Sequence, residues 1–205
     1  MRIALLGMHE ATQSGLDSAE WDQVWGLAHD LETPMRCTAA FEAHSQQIIE
    51  AHCPEHAERL SSLAQYMPLT TAWGWTTSLG PHHSVVSYGA LDHGTYIESS
   101  IAYMMAVAMQ ERPEAIGIFG VDMAEAEEYG YQRPNMAYLV GKAEGMGIEV
   151  TLHPLCSLFT SEWTGGCYGH PDNVDDMEYR LHGRSRHVAA LVQAPAVAQG
   201  SSSAA

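Results

Sequence analysis

The sequence predicts an α/β fold in which a mostly parallel sheet is flanked by helices. Residues 2–7 (RIALLG) form an apolar run that ends in glycine, and residues 115–121 (AIGIFGV) form a second apolar run that ends at Asp122. Helical and strand patterns alternate along the rest of the chain, and a strand–helix–strand order produces parallel βαβ units. We therefore expect a single domain of Rossmann-like type.

Strand patterns dominate the first half of the chain. The first strand leads into a polar stretch of turn and cap residues at 8–18, and residues 21–28 and 36–43 have the length and apolar content of a second and a third strand. A helical pattern covers residues 45–63, where Pro54 breaks or kinks the helix. Residues 67–94 are rich in loop residues and contain one short strand pattern at 84–88.

The second half begins with a helix at residues 98–110 that is apolar nearly all round, so we expect it to be buried on more than one side. Ser99 or Ser100 is its natural N-cap. The strand at 115–121 follows, then a helix at 134–145, a strand at 148–152 and a helix at 174–192. We expect the domain to cover residues 1–193 and residues 194–205 to be a disordered tail.

Composition narrows the classes of function. Of the 205 residues 46% are hydrophobic, and no run approaches the roughly 18 apolar residues of a membrane span. The N-terminus runs directly into a strand pattern instead of a signal peptide, so we expect a cytoplasmic protein. A net charge of −16 disfavours direct binding to duplex nucleic acid. Trp73, Trp75 and Trp163 are candidates for a homo-oligomer interface or for a pocket lining.

Cysteine and histidine spacing gives no metal motif. The four cysteines, Cys37, Cys53, Cys156 and Cys167, are scattered and include no CxxC pair, which is typical of reduced thiols. The segment 52–56 (HCPEH) contains residue types that bind zinc, but proline interrupts the helical spacing and no second ligand pair follows. We therefore predict no metal site from the sequence.

Three segments place polar groups or glycine at the carboxyl ends of predicted strands, where ligands bind in open parallel sheets. Gly7 begins the loop with Met8 and His9, and its missing side chain would let a ligand phosphate reach the backbone. Ser99 and Ser100 open the apolar helix, whose N-terminus attracts anions. Asp122 ends the buried strand. Each feature also has a structural explanation: a plain turn after the first strand, an N-cap, and a capped turn.

Polar residues that follow Asp122 are further candidates, among them Glu128, Tyr129, Tyr131, Arg133 and Asn135. Arg133 is one of the chain's few cations and suits either a substrate phosphate or a carboxylate.

Histidines supply the acid–base candidates. His44 follows the third strand and is a candidate acid or base, with a structural capping role as the alternative. His82, His83 and His93 lie in the middle segment, either in a lid over the site or simply in solvent.

Residues 97–159 resemble a known group of proteins. The run IESSIAYMMAVAMQ, then AIGIFGVDM, then Asn135 and Leu139 in a helix, and finally GIEVTLHPLCSLF are similar to the second half of the Rossmann-like fold of bacterial lipooligosaccharide sialyltransferases and MptE-like 6-hydroxymethylpterin diphosphokinases. Those families have a Thr-Ser-Gly helix start and a buried strand ending in Gly-Ile-Asp. The matching residues here are Ser99, Ser100, Gly120, Val121 and Asp122. The chain also resembles small phage-encoded proteins, which would act in the host cytoplasm.

The resemblance implies that Ser99 and Ser100 touch the donor's phosphate or sugar and that Asp122 borders a nucleotide pocket. Gly120 and Asn135 belong to the same implied site, and Tyr129 with Tyr131 would steady a leaving phosphate. Two departures stand out. The sialyltransferases carry a Gly-Asn-Gly-Pro-Ser loop after the first strand and a catalytic histidine in a lid after the Gly-Ile-Asp strand. This chain has GMHE at residues 7–10 and no histidine between Asp122 and Val150.

Three functions follow as expectations. The first is a glycosyltransferase-like transferase that uses a nucleotide or nucleotide sugar, with His9, His44 or Glu128 as the base and Tyr129, Tyr131 or Arg133 at the leaving group. A diphosphokinase-like enzyme would instead hold Mg²⁺ between ATP phosphates with Asp122 and neighbouring glutamates. A non-catalytic protein that binds a nucleotide or metabolite is the third, favoured by the altered first loop and the absent lid histidine.

Overall fold

The core of the protein is a seven-stranded parallel sheet, seen in a computed structural model with the strand order β5-β4-β3-β2-β1-β6-β7. Every neighbouring pair of strands is parallel. The strands are β1 (Arg2–Leu6), β2 (Gln23–Leu27), β3 (Ala39–Glu42), β4 (Leu69–Thr71), β5 (His83–Val85), β6 (Ala115–Phe119) and β7 (Glu149–Leu152). The predicted fold class is confirmed.

In the part of the chain that the structure describes, four helices cover the two faces of this sheet: α1 (Gln46–His52), α2 (Pro54–Leu63), α3 (Ser100–Gln110) and α4 (Tyr129–Gly145). The structure describes residues 1–13, 16–17, 19–29, 36–76, 78–91, 96–123, 129–153 and 156–159. Within these ranges, no helix is both long and apolar enough to cross a membrane. Residues 1–159 form one compact unit, and the extension of the domain to residue 193 stays a prediction.

Strand alternation decides which side chains each helix layer buries. Ile3 and Leu5 of β1 pack into the large core that contains α3 and α4, whereas Ala4 of the same strand points to the opposite face. On that opposite face, β3 and β4 pack against α1 and α2 around Leu60. Ile101–Met109 of α3 are all buried, as the apolar pattern predicts, because the helix contacts both the sheet and α4.

The strand order reverses at β1. From β1 the chain proceeds outward through β2, β3, β4 and β5, and then returns by α3 to β6 on the other side of β1. The connection after β1 and the connection after β6 lead to opposite faces of the sheet. In open α/β sheets, ligands bind at the carboxyl ends of two such strands.

Several element boundaries differ from the sequence predictions. Strands β2 and β3 are shorter than expected, since each predicted strand included loop residues before or after the paired segment. The helical pattern at 45–63 forms two helices, because Pro54 cannot donate to the helix before it and instead occupies the first turn of α2. Ser45 caps α1 by accepting from the Ile48 N–H.

The middle segment and α4 also differ. Strand β4 was missed because it has only three residues, and β5 spans His83–Val85, where 84–88 was predicted. Helix α4 starts at Tyr129, five residues before the predicted start at Pro134, which lies inside the helix. Pro134 lies in the second turn of α4, where its missing N–H and its ring disfavour the bond to the Gly130 carbonyl, yet the helix runs on both sides of it. The predicted helix 174–192, the tail 194–205, His93, Trp163, Cys167 and Glu128 lie outside the described residues.

Candidate functional site

A cleft of about 560 Å³ opens at the carboxyl ends of β1 and β6, at the reversal of strand order. Most of the predicted ligand-binding residues line it. The predicted residues along this cleft are Gly7, Met8, His9, His44, Ser99, Ser100, Gly120, Asp122 and Tyr131. Tertiary structure thus brings five separate chain segments to one place, while their roles in binding stay predictions.

Gly7 and Gly120 form the floor of the cleft by a direct contact between backbones. A Cβ at Gly7 would lie 2.3 Å from the carbonyl oxygen of Gly120, and one at Gly120 would lie 2.2 Å from that of Gly7. Gly120 also has φ +65°, which L side chains rarely adopt. The missing Cβ of Gly7 thus admits the Gly120 backbone, and the approach of a ligand phosphate to Gly7 stays a prediction.

The N-terminus of α3 provides backbone donors to the cleft. Ser99 is the N-cap, and its hydroxyl accepts from the Ala102 N–H at 3.1 Å, while its carbonyl accepts from the Tyr103 N–H. The N–H groups of Ser100 and Ile101 have no partner among the described residues, which is the usual state of a first helical turn. These two donors and the Ser100 hydroxyl can meet an anionic group.

Asn135 lies outside the cleft lining and holds the segment before α3 in place. It is fully buried, its Oδ1 accepts from the Glu98 N–H at 3.0 Å, and its Nδ2 donates to the Tyr96 carbonyl at 2.7 Å. The oxygen and the nitrogen of the side-chain amide therefore both form hydrogen bonds with backbone groups. The structure gives Asn135 a positioning role toward Ser99, where the sequence analysis expected ligand contact.

His9 and Asp122 form a pair at the rim of the cleft. His9 Nε2 is 3.6 Å from Asp122 Oδ2, and His9 Nδ1 is 3.3 Å from the Thr12 hydroxyl. Both side chains are partly exposed, so a ligand can reach them.

Glu42, the last residue of β3, is a buried carboxylate that three imidazoles surround. Its Oε1 accepts from the backbone N–H of His44 at 2.8 Å and lies 2.6 Å from His44 Nδ1. Its Oε2 lies 2.6 Å from His56 Nε2 and 3.4 Å from His29 Nδ1. Burial alone would raise the pKa of Glu42, but the hydrogen bonds from His29, His44 and His56 hold this pKa well below its ordinary value.

The Glu42 contact fixes the state of His44. An ionised carboxylate only accepts hydrogen bonds, so Nδ1 of His44 is the donor in this contact, and Nε2 is the nitrogen that would accept a proton when the ring is neutral. A carboxylate that orients an imidazole in this way is the arrangement of an acid–base pair. Because His44 lines the cleft, the pair stands beside any ligand bound there.

A second cavity of about 360 Å³ adjoins the first and shares His44, Ser99, Ser100 and Tyr131 with it. Trp73 and Tyr88 add an aromatic wall, with ring centroids 5.5 Å apart. The Trp73 indole donates to the Ala43 carbonyl, which ties this wall to the end of β3. An apolar surface beside polar groups suits a base, a sugar ring or another flat ligand.

Two other candidates occupy different positions. Arg133 is outside the lining of both cavities, and its Nε donates to the Leu158 carbonyl at 3.1 Å. The backbone of Tyr129 begins α4 and does not lie in the loop expected from the sequence. Neither cavity has a lysine or arginine among the described residues that line it, so the donors there are imidazoles, hydroxyls, the Gln132 amide, the Trp73 indole and backbone N–H groups.

Sequence reasoning missed the cluster around Glu42. A charged Glu42 within a strand pattern of small and apolar residues is the one local sign of a buried carboxylate. Its partners His29 and His56 come from the turn after β2 and from the first turn of α2. The segment that contains His56 was considered for zinc with Cys53, but Cys53 is exposed and the His56 ring is turned toward Glu42.

Comparison with protein-family models finds no match for this chain, and comparison with curated proteins finds none either. Two solved structures have similar folds. Thiamine pyrophosphokinase from Bacillus subtilis is 13% identical with a TM-score of 0.43, and the match covers 74% of this chain and 59% of that one. The sialyltransferase CstII from Campylobacter jejuni, solved with cytidine-5'-monophosphate as a substrate analogue, is 14% identical with a TM-score of 0.49, covering 77% and 80%. These likenesses concern the fold alone.

Proposed function

We propose that the protein is a transferase that binds a nucleotide or nucleotide sugar in the cleft between the ends of β1 and β6. The observation that carries this proposal is the convergence of the α3 N-terminus, the His9–Asp122 pair and the Glu42–His44 pair on one cleft. A helix N-terminus and an oriented imidazole are the parts needed to hold a phosphate and to remove a proton from an acceptor.

The donor's phosphate would lie against the N–H groups of Ser100 and Ile101, where the helix dipole favours negative charge. Asp122 would accept hydrogen bonds from a ribose or sugar hydroxyl. The base or sugar ring would extend toward the aromatic wall of Trp73 and Tyr88 in the adjoining cavity. His44 would then deprotonate the acceptor, with Tyr131 near the leaving phosphate.

The binding half of the proposal is tested by thermal stability. Nucleoside mono-, di- and triphosphates and nucleotide sugars are added to the wild type, to Asp122→Asn and to the control Glu144→Gln, an exposed carboxylate on α4. A ligand at a hundredfold excess over its Kd adds about 2.7 kcal/mol of stability. We expect one class of nucleotide to stabilise the wild type and the control but not Asp122→Asn. If no nucleotide stabilises the wild type, the ligand class is wrong.

The catalytic half is tested by turnover. We expect release of free nucleotide from the stabilising ligand, slowed about 10²- to 10⁴-fold in His44→Gln while the thermal shift is retained. Binding without turnover in the wild type would identify a non-catalytic binding protein instead. Turnover of ATP that requires Mg²⁺ would identify the diphosphokinase-like chemistry.

A further inference from the structure

One carboxylate and two imidazoles lie close together beside the cleft, and each of these side chains can bind a metal ion. Glu42, His29 and His56 each offer one such atom, and the three atoms lie within 4.8 Å of one another. Both imidazole nitrogens approach the same oxygen, Oε2 of Glu42, at 2.6 Å for His56 and 3.4 Å for His29. Glu42 and His56 are almost completely buried, whereas the His29 side chain is 44% exposed and lines the cleft.

We propose that His29, Glu42 and His56 bind a divalent transition-metal ion of the zinc type, with a further coordination position open to the cleft. Two histidines and one carboxylate form the ligand set of catalytic zinc sites, which leave the fourth position to water or substrate. Mg²⁺ and Ca²⁺ prefer oxygen ligands, so the two imidazoles select against them. The metal site needs no nucleotide and stands independently of the proposed transferase activity.

The spacing requires little movement. Ligand atoms about 2.0–2.1 Å from a tetrahedral Zn²⁺ lie roughly 3.4 Å from one another. The contact between His29 and Glu42 already has that length, 3.4 Å. His56 is at hydrogen-bond distance and would withdraw by about 0.8 Å as the ion replaces the shared proton. The third distance, between the two imidazole nitrogens, is within 4.8 Å and would have to be roughly 3.4 Å around the ion.

Neighbouring residues hold these ligands from outside. The backbone N–H and Nδ1 of His44 both contact Oε1 of Glu42, which leaves Oε2 to face His29 and His56. Arg59 on α2 donates to the backbone carbonyl of His29 at 2.8 Å and so ties the turn after β2 to the helix that carries His56. Hydrogen bonds that orient the ligands in this way are typical of metal sites. His44 and Arg59 are therefore positioning residues for the ion.

Charge also favours a cation at this point. The Glu42 carboxylate has no exposed surface, and the ion pairs found for it among the described residues are with histidines only. A buried carboxylate is costly unless a positive charge or several hydrogen bonds compensate it. A divalent ion would compensate the charge and would give the cleft, whose described lining has no lysine or arginine, a positive centre for an anionic ligand.

The experiment uses the full chain after dialysis against a chelator. Zn²⁺, Co²⁺ and Mg²⁺ are titrated in competition with a chromophoric chelator, and bound metal is counted by mass spectrometry. The variants are His29→Gln, His56→Gln and His44→Gln, and the matched control is His52→Gln, an exposed histidine on α1 outside the cluster. Circular dichroism checks the fold of each variant.

We expect one Zn²⁺ or Co²⁺ per chain, with little affinity for Mg²⁺. Loss of His44 should weaken binding about 10- to 100-fold, and loss of His29 should weaken it further, whereas His52→Gln should bind as the wild type does. The visible spectrum of bound Co²⁺ should disappear in His29→Gln. Because His29 is half-exposed, this variant carries the test even if His56→Gln does not fold. The proposal is overturned if the wild type binds no ion, or if His29→Gln and His52→Gln bind alike.

Discussion

A side chain added at the backbone contact between Gly7 and Gly120 should lower the stability of the fold by an amount that follows from the distances at this contact. Gly120→Ala introduces a side chain at φ +65° and places its Cβ 2.2 Å from the Gly7 carbonyl oxygen. The backbone conformation costs about 1–2 kcal/mol for an L residue. Separation of the two loops adds an overpacking cost of about 1–3 kcal/mol. The hydrogen bond from the His9 N–H to the Gly120 carbonyl, 2.8 Å long in the wild type, would be weakened as well. We expect a total loss of about 2–5 kcal/mol.

Two other glycines separate these contributions. Gly147 has φ +83°, and a Cβ added there would have no other atom within 4 Å, so Gly147→Ala measures the conformational cost alone, about 1–2 kcal/mol. Gly7→Ala meets the Gly120 carbonyl at 2.3 Å without a positive φ, so it measures the steric cost alone. Urea unfolding of the three variants gives the free energies. The reasoning is refuted if Gly120→Ala loses no more stability than Gly147→Ala.

Three further predictions concern the supports of the cleft. Asn135→Ala should lose about 1–3 kcal/mol in urea unfolding, because it leaves the Glu98 N–H and the Tyr96 carbonyl without their buried partner; an unchanged stability would contradict this role. Ser99→Ala should lose about 1 kcal/mol as an N-cap, whereas Ser100→Ala should keep stability and lose nucleotide affinity in the thermal-shift screen; equal stability losses would remove the distinction. Glu42→Gln in metal-free protein should be less stable than the wild type. Since the folded pKa of Glu42 is lowered, this difference should be complete above the ordinary carboxyl pKa of about 4.5 and shrink as the pH falls below it; a difference that grows in acid would contradict the sign.

The fold could be predicted from local patterns because the parallel strands are buried on both faces. Such strands appear as continuous apolar runs, as in β1 and β6, and the all-round apolar α3 had to be buried on more than one side. Short strands at the edge of the sheet carry no comparable signal. Strand β4 has three residues, and its pairing with β3 and β5 comes from the tertiary fold.

Much of the candidate cleft could be located in the same way. Gly7, Ser99 and Asp122 each follow or precede a recognisable element, and the rule that ligands bind at the carboxyl ends of parallel strands places them together. Their detailed contacts could not be predicted. Gly7 packs against Gly120, more than a hundred residues away in sequence, and Asn135 forms hydrogen bonds with the backbone before α3. Both contacts depend on which loops the sheet brings together.

The sequence by itself determined an acidic chain with an α/β fold, and it predicts a ligand cleft at the carboxyl ends of β1 and β6. Only the tertiary structure decided which ionisable groups would be buried together. The residues next to Glu42 do not indicate that His29, in the turn after β2, and His56, in the first turn of α2, both reach one of its oxygens. Such a cluster has no sequence spacing, since it forms only when the sheet order and the packing of α2 bring three distant segments within hydrogen-bond distance.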